Sequence, residues 1–120
     1  MSVNYFKMAK KTKGEVLLEF YETEEGLHKI NTIRTGLANN TVESFPQIFA
    51  TFAKSNLQIL LGISFYSFLK KIEDPGKFTL NEIEFMSSLF KVDFDIMIRF
   101  VHKTMLAAKK QTKQLSAKKK

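Results

Sequence analysis

The side chains able to do chemistry in this 120-residue chain are twelve Asp and Glu, two His and a scatter of Ser, with no Cys. His28 and His102 are far apart in sequence and neither sits in a metal-ligand spacing pattern, so both are expected at the surface. The acids cluster as Glu22/Glu24/Glu25, Glu82/Glu84 and Asp93/Asp95. Each cluster lies where a helix is expected to start, and a carboxylate there complements the positive end of the helix dipole without any catalytic role. No Ser lies in a nucleophile elbow and no Gly-rich phosphate loop is present. The lack of Cys excludes disulfides, thiolate metal sites and a Cys nucleophile, and is compatible with a reducing cytosol. We therefore expect no catalytic residue, no metal site, no cofactor and no enzymatic activity.

The cations carry more information. The formal net charge is +7, from nineteen Lys and Arg against twelve acids. Lys7, Lys10, Lys11 and Lys13 fall in the first thirteen residues, and Lys109, Lys110, Lys113, Lys118, Lys119 and Lys120 fall in 107–120, neither stretch holding an acid. Residues 14–106 keep nine cations against twelve acids, which puts the body at −3. Such basic ends favour any polyanion through counterion release, without choosing a sequence. No apolar run approaches the roughly 20 residues of a membrane span. The basic N-terminus lacks the apolar core of a secretory signal, and a cytoplasmic protein is expected.

The elements that must position these groups read as helices. Gly and Pro are sparse, at five and two. Residues 14–22 are apolar but too short to separate helix from strand by period. Thr23 can cap a helix whose stripe runs through Leu27, Ile30, Ile33 or Arg34, and Leu37, ending at Asn39-Asn40. Ser44 can cap a short helix with Pro46 in its first turn, placing Phe45, Ile48, Phe49 and Phe52 on one face. Thr79 and Glu82 form a capping-box pair ahead of Leu80, Ile83, Phe85 or Met86, Leu89 and Phe90. Asp93 starts a last helix burying Ile96, Met97, Phe100, Val101 and Met105. Leu17, Leu18, Phe20 and Tyr21 form an apolar patch that must cover the helical body or form a dimer contact.

Between these lies KSNLQILLGISFYSFLKKI, residues 54–72. A helix from Lys54 to Leu61 is broken by Gly62, Ile63 plugs the angle, and Ser64 caps a second helix reaching about Ile72. Asp74-Pro75-Gly76 closes it as a turn. Two short helices at a tight Gly turn make a helix-turn-helix. Here the chain resembles the lambda-repressor-like (Xre/Cro/CI) helix-turn-helix family, over about Phe45 to Phe100. Lys54-Ser55-Asn56-Leu57 resembles the start of the family's second helix, Gly62-Ile63-Ser64 its turn, and Phe65 to Ile72 its recognition helix. Phe78-Thr79-Leu80-Asn81-Glu82-Ile83 resembles the fourth helix, and Leu89-Phe90-Lys91-Val92-Asp93 the step into the fifth. The chain departs from the family at Gln58, where Ala is usual, at Leu69 and Lys70, where a small polar residue and Arg are frequent, and at Phe90-Lys91, which replace Leu-Gly.

The resemblance implies an all-α, lambda-repressor-like bundle preceded by a helical or extended N-terminal arm. Residues 1–40 are then a basic arm and extra helix, 41–106 the helix-turn-helix domain, and 107–120 a Lys-rich tail. It implies a DNA-binding transcriptional regulator associated with the nucleoid, whose partners are double-stranded DNA and, for a dimeric regulator, a second copy. Carried over by position, the DNA-binding residues are Lys54, Phe65, Tyr66, Ser67, Lys70, Lys71 and Lys77, with Phe68, Leu69 and Ile72 leaning towards the core. Lys109, Lys110, Lys113, Lys118, Lys119 and Lys120 would add sequence-blind polyanion contacts. A second reading is a non-catalytic accessory or structural protein of a large ribonucleoprotein or polymerase complex. It would have kept the fold and lost base reading, since no Arg, Asn or Gln stands on the reading face. A third is a small antitoxin or phage-type repressor whose N-terminal arm binds a protein.

Overall fold

The computed structural model describes residues 11–118, with side chains as far as Gln111. Seven α-helices and no strand are present among the described residues. They are α1 Lys13–Phe20, α2 Glu24–Ala38, α3 Phe45–Phe49, α4 Lys54–Leu61, α5 Phe65–Glu73, α6 Leu80–Leu89 and α7 Phe94–Lys118, with a 3₁₀ turn at Pro75–Lys77 between α5 and α6.

The segment ambiguous in sequence is helical. Thr12 and Glu15 close a capping box: the Thr12 hydroxyl accepts from the Glu15 amide at 3.1 Å and the Glu15 carboxylate accepts from the Thr12 amide at 3.0 Å. Helical spacing then puts Leu17, Phe20 and Tyr21 on one side, where they pack on the core, and leaves Val16 and Leu18 outside. Three of the four residues of the apolar patch thus cover the helical body, and Leu18 stays exposed. Tyr21 is buried, its ring stacked on Phe52 with centroids 4.3 Å apart, and its hydroxyl accepts from Asn56 Nδ2 at 3.1 Å. That pair ties the end of α1 to the first turn of α4.

Thr23 caps α2 by accepting from the Gly26 amide at 3.2 Å. The chain reverses so tightly here that a Cβ on Gly26 would collide with the Phe20 carbonyl. Ile30, Ile33 and Leu37 line the buried face, with Arg34 outside. Phe45 and Ile48 of α3 are buried, Phe45 lying 5.3 Å from Phe78 and 5.1 Å from Phe100. In α6 it is Met86 that is fully buried, and Leu80, read as part of the apolar face, is exposed at the helix start. Met97, Phe100 and Val101 are the deepest residues of α7. Phe68 of α5 and Leu57 of α4 complete one core shared by α2 to α7 and by Tyr21 at the end of α1, with Leu17 and Phe20 of α1 packed against it. No buried side-chain nitrogen or oxygen among the described residues lacks a hydrogen-bond partner.

Candidate nucleic-acid interface

The segment Lys54 to Glu73, two helices joined at Gly62, folds as its residues demand. Leu57 faces the core and holds α4 in place. Gly62 ends α4 with φ of +72°, a left-handed conformation that costs glycine nothing and other residues about 1 kcal/mol. Ser64 caps α5, its hydroxyl accepting from the Ser67 amide at 3.0 Å. Gln58 stands where the family resemblance leads one to expect Ala, and the structure shows what it does there. Its Nε2 donates to the Ile63 carbonyl at 2.6 Å, so α4 holds the turn through a side chain as well as through packing.

On α5, Phe68 is fully buried and Ile72 is half-buried, as their spacing of four requires. Leu69 is not turned inward, which corrects the expectation from sequence: it is 38% exposed. The signal was available in the spacing. If Phe68 and Ile72 face the core, Leu69 aligns with Phe65 at i, i+4. Phe65 is 45% exposed and Tyr66 72% exposed. The Lys54 ammonium lies 6.0 Å from the Phe65 ring centroid, and the Lys70 ammonium 5.3 Å from that of Tyr66. Lys54, Phe65, Tyr66 and Leu69 with Lys70 therefore make one outward ridge of aromatic and aliphatic surface edged by cations.

The other named residues are placed differently. Ser67 is half-buried, its amide occupied by the cap. Lys77 is exposed in the 3₁₀ turn beyond the end of α5. Lys71 is turned away from the ridge. Its ammonium donates to Glu82 Oε1 at 2.8 Å and to the Lys77 carbonyl at 3.1 Å, and only 16% of the Lys71 side chain and 14% of the Glu82 side chain are exposed. It latches α5 to the start of α6. Lys109 and Lys110 are exposed on α7, which runs on as one helix to Lys118. The side chains of Lys113 and Lys118, and Lys119 and Lys120 entirely, lie outside the described residues, as do Lys7 and Lys10.

The latch gives a pH-dependent stability. Burial pushes the Glu82 carboxyl up, but the Lys71 hydrogen bond, the Thr79 amide, the Lys71 charge and the Thr79 hydroxyl together outweigh it and hold the pKa below the ordinary glutamate value. A carboxyl whose pKa is depressed by folding stabilises the fold above its unfolded-state pKa, and the gain is lost as pH falls through the folded value. Glu82→Gln should therefore cost about 1.5–3 kcal/mol at neutral pH, the scale of a charge-assisted hydrogen bond. Urea titrations across pH should show the gap between wild type and variant closing as the medium is acidified. A gap that stays constant down to strongly acid pH would contradict the latch.

Elsewhere, His28 and His102 are exposed. Among the described residues no three His, Asp or Glu side chains are grouped to hold a metal, and no helix is long and apolar enough to cross a membrane. Set against protein-family models, curated proteins and solved structures, the chain matches none of them.

Proposed function

We propose that this protein binds double-stranded DNA through α4, the Gly62 turn and α5, as a lambda-repressor-like helix-turn-helix, and acts as a transcriptional regulator in the cytoplasm, on the nucleoid. The observation that carries this is the ridge on α5. A helix locked into the core by Phe68 presents Phe65, Tyr66, Leu69 and Lys70 outward, with Lys54 of the preceding helix beside them. In such a module the second helix enters the major groove and the first crosses the backbone. Lys54, Lys70 and Lys77 then meet phosphates, and Tyr66 reaches a phosphate or a base edge. The basic ends add affinity without choosing sequence. A regulator of this kind binds paired half-sites as a dimer, so a second copy of the chain is part of the proposal.

A second reading is supported by one specific observation. Three large exposed side chains of α5 are apolar or aromatic, and none of its nine residues is Arg, Asn or Gln. Such a surface also suits an accessory protein seated on a large nucleoprotein assembly. Repeated rounds of selection from a pool of randomised duplexes separate the two. The DNA-regulator reading expects one enriched sequence. A pool that stays unenriched while the protein still binds heparin through its basic ends would favour the accessory reading.

A further inference from the structure

We propose that α5 discriminates DNA sequences by apolar contact with thymine methyl groups, through Phe65 and Leu69. This rests on the reading of α5 as the helix in the major groove and adds what it recognises there. A groove helix can choose bases by hydrogen bonds to their edges or by packing against the thymine C5 methyl. The first route has little on this ridge beyond the Tyr66 hydroxyl. α5 carries no Arg, Asn or Gln, Ser67 is half-buried, and Lys71 is held by Glu82. The cations that do edge the ridge, Lys54 and Lys70, are point charges suited to phosphate.

The second route is well supplied. Phe65 and Leu69 are both exposed and sit one helical turn apart. Their separation along the helix axis is about 6 Å, close to the roughly 7 Å rise over two base-pair steps. Each can therefore meet a methyl group two steps from the other. Charge complementarity favours this occupant over a purely apolar partner: the ridge carries two cations, and neither α4 nor α5 has an acid before Glu73. DNA rich in thymine is the polyanion that also offers methyl groups at regular spacing.

The test changes only the methyl. Binding is measured by fluorescence anisotropy to an alternating A·T duplex of about 20 base pairs, long enough for two half-sites one turn apart. The same duplex is then made with deoxyuridine in place of every thymidine. Wild type should weaken about fourfold for each methyl contacted, the value of one buried CH₂. An alternating G·C duplex should gain affinity when its cytosines carry a 5-methyl group, which occupies the same groove position. Phe65→Ala/Leu69→Ala, whose side chains are exposed and leave the core intact, should bind thymidine and deoxyuridine duplexes alike. Equal wild-type binding to both duplexes overturns the methyl contact; binding through α5 then stands if Lys54→Glu/Lys70→Glu weakens it, and falls as well if that variant binds like wild type. No duplex binding even at low salt overturns both.

Discussion

Phe52→Ala is expected to lose about 3–5 kcal/mol of stability, the cost of truncating a fully buried Phe. Phe52 lies in the loop between α3 and α4 and is completely enclosed. Its ring stacks on Tyr21 with centroids 4.3 Å apart and meets Phe90 in a T-shaped contact with centroids 5.4 Å apart. The ring thus joins the end of α1 to the segment between α6 and α7. Its removal opens a cavity among aromatic side chains that cannot close without moving three elements. Against a total stability of about 5–15 kcal/mol for a domain of this kind, the loss should show as a large fall in the urea midpoint. Phe65→Ala, a change of the same chemistry at an exposed site, should shift the midpoint little. A Phe52 variant as stable as the Phe65 variant would mean that this core is not the one described.

The aromatic core explains why much of the fold was legible before the structure and some of it was not. Helix ends announced themselves through local hydrogen bonding: Thr23, Ser64, and Thr79 with Glu82 all act within three residues. Gly62 did so through backbone geometry, with φ of +72°. These signals are short in range, so one sequence contains them. The helicity of α1 was open because eight residues show no clear period, although its capping box was there to be read. What escaped depends on neighbours distant in sequence. The burial of Tyr21 needs Phe52, and its hydroxyl needs Asn56, thirty-five residues away. Lys71 looked like a phosphate contact until Glu82, eleven residues on, was seen to hold it. Leu69 is placed towards the core by the position it would hold in the family, and only the orientation set by Phe68 turns it out.

Of the candidate interface, then, Lys54, Phe65, Tyr66 and Lys70 were named from sequence and the structure brings them together. Leu69 joins them and Lys71 leaves. The basic ends were equally plain in the sequence. They compete with the ridge as an explanation for any polyanion binding, because a Lys-rich end binds DNA whatever α5 does. A decisive variant must change the ridge and spare both the ends and the core.

Lys54→Glu/Lys70→Glu meets that requirement. Both lysines are exposed, and neither makes an ion pair among those found in the described residues. The fold should therefore survive, with far-ultraviolet circular dichroism unchanged. Reversal removes two phosphate contacts and places two anions against the backbone. Affinity for the selected duplex at moderate salt should fall about a hundredfold, and the slope of log affinity against log salt should shrink by about two. Lys71→Gln provides the contrast: its lysine is turned to Glu82, so it should lose stability and keep the wild-type salt slope.

The measurement that bears most directly on the proposed interface is this salt-dependent titration of one duplex with wild type, the double reversal and Lys71→Gln. The account predicts lost affinity and a shallower slope for the double reversal alone. A double reversal that binds as tightly as wild type, with the same slope, would place DNA binding in the Lys-rich ends and contradict the role assigned to α5.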